Sequence, residues 1–288
     1  MMILDGHIHI LDGKKDRKDF IKRLHKAGIR GGIIISLPPS SFPWVAGRFS
    51  AKERLDNLFF WCGDDHDFFP FFWIDPLERD ALKQIDLAVK WGVRGFKIIC
   101  NSFFPSQPKA LNIIRKIAER EKPILFHSGI LWDGRASSAY NRPVEFEDLL
   151  EVRGLKFALA HMAWPWCDEL LAVYGKFQNA ATLRPGLSVE MFIDITPGTP
   201  PLYREEALTK LFRIGYDVEN NVIFGTDGIV NEYNHHRTSQ WITRDNAVYQ
   251  KIPLSGTVLN KIYGGNLKRF LEEGGRVLAK KKLRPGDS

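Results

Sequence analysis

Apolar and polar residues in this chain are arranged in two alternating kinds of block. Short runs rich in Ile, Val and Phe are separated by longer stretches in which apolar residues recur every three or four positions. The first pattern is that of buried strands and the second that of amphipathic helices. The strands read as "MILDGHIHI", "GGIIISL", "FPFFWID", "VRGFKIIC", "PILFHSG", "KFALAHMA", "MFIDIT" and "VIFGTDG". Between them the spacing predicts helices over 17–27, 51–61, 80–91, 108–121, 146–152, 167–177, 202–214 and 256–263, with a ninth from Asn266. In the third helix Leu82, Ile85 and Val89 fall on one stripe, and Gly92 follows where a helix usually stops; Gly28 and Gly215 punctuate the chain in the same way. Strict alternation of strand and helix implies a parallel sheet with right-handed crossovers. Eight such units fit a closed (β/α)8 TIM barrel better than an open doubly wound sheet. No linker, low-complexity tract or internal repeat interrupts the series, so residues 1–288 are expected to form a single barrel with a C-terminal helix. The longest connections, 36–50, 130–145 and 229–255, each follow a strand, which puts them at the mouth where barrel enzymes carry their sites.

Composition narrows the function classes. With 44% hydrophobic and 26% charged residues among 288, the chain can bury a sizeable core. Its apolar runs fall short of the roughly 20 residues of a membrane helix, and the start lacks the basic-then-apolar order of a secretory signal. A cytoplasmic protein without membrane association is expected. Cys62, Cys100 and Cys167 are odd in number and widely spaced, which fits neither a disulfide framework nor a thiolate metal site. The net charge of +7 comes partly from "KKDRKDFIKRLHK" and "RVLAKKKLR". The first reads as the solvated face of a helix and the second as a helix end and tail, with no aromatic stacking platform, so a nucleic-acid partner is not expected. The 20 Phe and 8 Trp are mainly core residues, though they are also compatible with a homodimer interface.

The chemistry begins in the first strand. In "ILDGHIHIL", strict alternation puts Asp5, His7 and His9 on one face and Leu4, Ile8 and Ile10 on the other. Other polar residues embedded in apolar strands are Lys97, His127, His161, Asp194 and Asp227. Apart from His7, which lies slightly deeper, they fall at or near the C-terminal ends of their strands. Each alone has an ordinary reading: a His-x-His pair can be merely hydrogen-bonded, and His127 can be satisfied by a backbone carbonyl. Together, four imidazoles (His7, His9, His127, His161) and the Asp227 carboxylate suit a divalent metal, zinc first and manganese or iron as alternatives. Such an ion, with an open position, lowers the pKa of coordinated water and polarises a carbonyl, so hydrolysis follows. A buried Lys97 is costly unless paired, which favours a functional part for it. His25 and His66 are expected at the surface, and His235 and His236 face either substrate or solvent. The loop after strand five offers Trp132, Arg135, Tyr140 and Arg142, and the loop after strand six offers Trp164 and Trp166. Guanidinium groups suit a carboxylate or phosphate and aromatic faces suit a flat body, so a small, anionic substrate is expected; Arg184 and Arg237 are weaker candidates.

Taken together, the ordered set His7, His9, His127, His161 and Asp227 resembles the amidohydrolase superfamily. The phrases "RGFKI", "PILFHSG", "FALAHMAW", "FGTDG" and "IYGGNLKRFL" are similar to its amidohydrolase-2 branch, which includes aminocarboxymuconate semialdehyde decarboxylase. The resemblance covers nearly the whole chain. It implies that His7, His9, His127 and Asp227 ligate one divalent metal, and that His161 is catalytic, bonding the attacking water or the substrate oxyanion. It implies that Asp227 also serves as the general base on a lactone, ester or amide. In binuclear relatives a carboxylated lysine on strand four bridges a second metal, which leaves that role open for Lys97. The chain departs from the family in "GTDG", where Gly228 follows Asp227 in place of a larger side chain. The branch also leaves open non-oxidative decarboxylation of an aromatic or muconate-type acid. A barrel that has kept the fold as an inactive binding module is the third reading, because a fold alone never establishes an activity.

Overall fold

In the computed structural model, which describes residues 2–42 and 48–272, the β-branched and aromatic runs become nine parallel strands in one curled sheet. These are β1 (Ile3–His9), β2 (Ile29–Ile35), β3 (Phe68–Trp73), β4 (Gly95–Ile98), β5 (Ile124–Phe126), β6 (Lys156–Leu159), β7 (Glu190–Asp194), β8 (Val222–Ile223) and β9 (Gly228–Ile229). Each strand from β1 to β8 pairs with its successor except at the seam between β8 and β1. There the eighth stretch of chain is split: β8 pairs with β7, and β9, four residues on, pairs with β1. Gly6 N–H also donates to Phe224 O at 2.8 Å, so the two ends of the sheet meet. Eight strands of a TIM barrel result, the last in two pieces.

Side-chain alternation divides the core into two layers. Ile33, Ile35, Phe71, Trp73, Leu125, Ala158 and Phe192 fill the barrel, while Ile34, Phe72, Phe96, Ile124 and Phe157 face the surrounding helices. The helices are α1 (Arg17–Lys26), α2 (Ala51–Cys62), α3 (Ala81–Trp91), α4 (Pro108–Ala118), α5 (Cys167–Leu183), α6 (Pro201–Arg213), α7 (His235–Lys251), α8 (Gly256–Asn260) and α9 (Asn266–Leu271). Helix α2 starts in a capping box between Ser50 and Glu53, and α3 ends at Gly92, whose φ of 92° places it in the left-handed region. Helix α9 closes the lower end of the barrel. Its Phe270 ring packs on Phe71 and Phe192, and Arg94 and Lys156, near the starts of β4 and β6, donate to its last carbonyls.

Several expectations change. Strand β1 does not alternate strictly: Asp5 pairs with Gly32 and Ile8 with Ile34, so three steps on β1 match two on β2. This bulge puts Leu4 among the barrel-filling side chains and Ile8 and Ile10 in the outer layer, and it turns Asp5 away from the histidine face. The expected helix over 146–152 is part of a 3-10 run, Pro143–Glu151, and the segment 261–265 that continues α8 is a π-helical turn. In α3, Leu82 is 44% exposed; the buried face is Ala81, Gln84, Ile85 and Ala88. The connection 229–255 contains the 17-residue α7. Its buried face includes Thr238 and Asp245 beside Trp241, Val248 and Tyr249, and these polar members break the apolar stripe that would have signalled a helix. Cys62 and Cys100 are buried free thiols, and Cys167 is a half-buried one. Among the described residues no helix is long and apolar enough to cross a membrane. The basic run "RVLAKKKLR" lies outside the described residues.

Candidate metal centre

The bulge in β1 sends both histidines inward. His7 is fully buried, and its Nδ1 donates to Asp194 Oδ2 at 2.7 Å. That bond fixes the ring tautomer, so a bare Nε2 faces the barrel axis. Around this nitrogen lie His9 Nε2 at 3.1 Å, Lys97 Nζ at 3.3 Å and Asp227 Oδ1 at 3.7 Å. His9 Nε2 is in turn 3.4 Å from Asp227 Oδ1. His161 completes the group: one ligand-type atom from each of His7, His161 and Asp227 lies within 4.8 Å of the others. His127 stands at the edge. Its ring is 5.0 Å from that of His161, and its Nε2 is 3.2 Å from Ile130 O. The structure therefore brings His161 into the inner cluster and holds His127 one ring farther out.

Local backbone geometry makes this convergence. His161 is not on the strand, because β6 ends at Leu159. It opens a tight turn in which His161, Met162 and Ala163 take φ of 62°, 52° and 50°. Three consecutive non-glycine residues in the left-handed region are uncommon and mark a held conformation at a site. Asp227, also left-handed at φ 55°, breaks the eighth strand between β8 and β9 and presents its carboxylate to the axis. The loop after β7 passes close by at Gly198, where a Cβ would stand 2.6 Å from His161 Cβ. On the far side of the bulge, Asp5 ties β1 to the eighth stretch. Its Oδ1 accepts from His7 N at 3.0 Å and Thr226 N at 2.9 Å, and its Oδ2 accepts from the Thr226 hydroxyl at 2.5 Å and the Tyr233 hydroxyl at 3.0 Å.

Burial dominates the electrostatics. Loss of water pushes His7 and His127 well below the ordinary imidazole range, His9 down to about 4, and His161 downward as well. All four are neutral bases at neutral pH. Burial likewise lowers Lys97 to about 8, against the pull of Asp194 and Asp227. For Asp227 burial works upward, but the attraction of His161, His7, His9 and Lys97 outweighs it and holds the carboxyl at about 2. Asp5, dry behind the strand, is raised to about 7 by burial in spite of its four donors. Neutral imidazole nitrogens and an ionised carboxylate around one point are the donor set of zinc and related divalent ions. The close approach of the two Nε2 atoms, with His9 Nδ1 buried and without a partner, fits the same reading. A cation between them would turn crowded acceptors into ligands.

Above this group opens a cavity of about 250 Å³. His9, Lys97, His127, His161 and Asp227 form its floor, and Ile99, Ile130, Leu131, Trp132, Trp164 and Pro197 its wall. Of the residues expected to hold substrate, Trp132 and Trp164 line it. Arg135, Tyr140, Arg142 and Trp166 do not. Arg142 pairs with Glu169 at 2.5 Å and lies over the Trp166 ring, Tyr140 packs edge-on against Phe104, and Arg135 is exposed outside the lining. Arg184 pairs with Glu151, and Arg237 is exposed. The histidine pair 235 and 236 stands at the start of α7, rings 4.1 Å apart and tilted, outside the cavity lining; His25 and His66 are exposed. Two residues gain parts that the sequence did not give them. Asp194 orients His7, and Asp5 joins the two chain segments that carry His7 and Asp227. Their signal was an acid embedded in an apolar strand, which marks a partner without naming it.

A family model described as Amidohydrolase matches residues 47–272. That span leaves out β1, so His7 and His9 rest on the geometry above. No curated protein matches the sequence. Among solved structures the chain is similar in fold to an amidohydrolase from Burkholderia multivorans with bound zinc, at 12% identity, TM-score 0.62, and 95% and 100% of the two chains covered. It is also similar to dihydroorotase from Campylobacter jejuni, at 14% identity, TM-score 0.57 and coverage of 93% and 82%. A β-aspartyl dipeptidase from Fervidobacterium islandicum, in complex with a β-Asp-Leu dipeptide, matches at 17% identity, TM-score 0.58 and coverage of 95% and 77%. At these identities the likeness is one of fold.

Proposed function

This chain belongs to the amidohydrolase family, and we propose that it is a metal-dependent hydrolase acting on the carbonyl of a small lactone, ester or amide. One observation carries the reading: His7 Nε2, His9 Nε2 and Asp227 Oδ1 face one another within 3.7 Å, with Asp194 holding the His7 proton on Nδ1. His7, His9 and Asp227 would hold the ion, with His161 and His127 adjoining it. When bound, a divalent ion supplies a Lewis acid for the carbonyl and lowers the pKa of water beside it.

The residues supply the rest. Asp227 is ionised throughout the neutral range and its side chain is 37% exposed, so it can accept a proton from the attacking water at the cavity floor. Its low pKa means that it gives the proton up readily, which suits return to the leaving group. His161, neutral and fixed by its left-handed turn, stands where a developing oxyanion needs a donor. A substrate seated against the apolar wall would displace water from the floor and strengthen each of these interactions. Decarboxylation of an acid would set the substrate carboxylate on the same ion, and among the described residues lining the cavity Lys97 is the one further cation. It lies 3.3 Å from His7, among the metal-facing atoms.

The test is metal content per chain, with turnover of a lactone and ester panel measured on the same preparation. Wild type should carry about one equivalent and His7→Ala/His9→Ala none, and Asp227→Asn should lose roughly 10²–10⁴-fold in rate. Product acid should appear without carbon dioxide. No metal after reconstitution would sink the reading.

A further inference from the structure

The cavity wall speaks to what the substrate looks like away from its carbonyl. Trp132 is 78% exposed although it lines the cavity, an unusual setting for the largest apolar side chain. Trp164 faces the same space, and the two loops are stitched together where Ile130 N–H donates to Trp164 O at 3.0 Å. Beside Trp164 stands Tyr203, with ring centroids 6.4 Å apart, and next to it Leu202 is 81% exposed. Within the cavity the apolar wall thus runs from the metal-facing floor to Trp132, with Tyr203 behind Trp164. The arginines that would recognise an anion lie elsewhere, Arg142 already committed to Glu169 and Arg135 outside the lining. Among the described lining residues the single cation, Lys97, is fully buried on the floor.

We propose that this site selects an uncharged acyl compound with a flat, apolar body, and that Trp132 and Trp164 are the residues that choose it. The proposal rests on the hydrolase reading for the position of the carbonyl, and it replaces the anionic substrate expected from the loop arginines. The body lies between the two indoles, covering Trp132, while the carbonyl reaches the floor. A volume of about 250 Å³ falls just below the ~300–1,000 Å³ of sites for drug-sized ligands, so a single ring system is the size that fits. Aromatic faces reward a flat partner through stacking and through area removed from water, and they offer nothing to a remote carboxylate.

Acetophenone is the probe: it is flat, neutral and carries a carbonyl, yet has no leaving group, so its binding does not depend on turnover. Calorimetric titration should show saturable binding to the protein as purified and to protein stripped with dipicolinate. Trp132→Ala/Trp164→Ala should weaken that binding tenfold or more, and 4-acetylbenzoate, the same body with a remote charge, should bind at least tenfold more weakly than acetophenone to the stripped protein. Absent binding, equal affinity in the double variant, or preference for 4-acetylbenzoate would each overturn the proposal. Failure of the hydrolase reading would show instead as missing metal or missing turnover, with acetophenone binding untouched.

Discussion

Asp194 shows how much one side chain can do without touching substrate. Its carboxylate accepts a hydrogen bond from His7 Nδ1 at 2.7 Å and another from Thr196 N at 2.6 Å, which fixes the tautomer and orientation of the ring. Outer partners of this kind typically contribute 10–100-fold to metal affinity. Asp194→Asn should therefore weaken zinc binding by roughly that factor while the fold stays intact, as read by competition with a calibrated chelator. An unchanged affinity would mean that His7 is oriented by packing alone. This residue also marks where sequence reading stops. Its burial in "MFIDIT" was legible as an oddity, but a contact between positions 187 apart is not. Asp5 is the clearer lesson. Period-two alternation assigned it to the histidine face, and a single extra residue in β1 sent it to the other, where it joins Thr226 and Tyr233. A bulge leaves no mark in an apolar pattern when the residue after the acid is glycine.

At the level of elements, the strands and most helices were legible because each buries one face, and burial writes its period into the sequence. Helix α7 was not, since it meets α6 partly through charge. Arg204 on α6 donates from Nε and Nη2 to the two carboxylate oxygens of Asp245 on α7, at 2.8 and 2.6 Å, and both residues are essentially fully buried. Two charged residues in a core look like surface to any hydropathy count. Removing one partner strands the other charge: Asp245→Ala should cost about 3–5 kcal/mol in urea unfolding, whereas Arg204→Met/Asp245→Leu should come close to wild type. Equal losses in the two variants would show that packing volume, not charge, joins these helices. The 3-10 run at Pro143–Glu151 escaped for a different reason, namely that its apolar residues suit a helix of either pitch.

For the whole molecule, the cluster draws its members from distant parts of the chain: His7 and His9 from β1, His161 from the turn after β6, and Asp227 from the break in the eighth strand. An ion held there acts on stability as any ligand does that binds the folded state alone. At a hundredfold excess over its Kd it adds ~2.7 kcal/mol, which at somewhat under ~2 °C per kcal/mol for a chain of this length is a Tm gain of roughly 4–5 °C. Chelation should reverse it, and a Tm indifferent to chelator would deny the ion a place across the strands. The barrel's seam gives this coupling a direction. Strands β1 and β9 share two residue pairs, as do β7 and β8, whereas β2 and β3 share four. The two joints with the fewest ladder pairs flank the eighth stretch, which carries Asp227. Amide protons along them will exchange before those of the middle strands, so the protein can lose its site by a partial opening that leaves most of the barrel standing. The group that does the chemistry would then also be the rivet that keeps the cylinder shut.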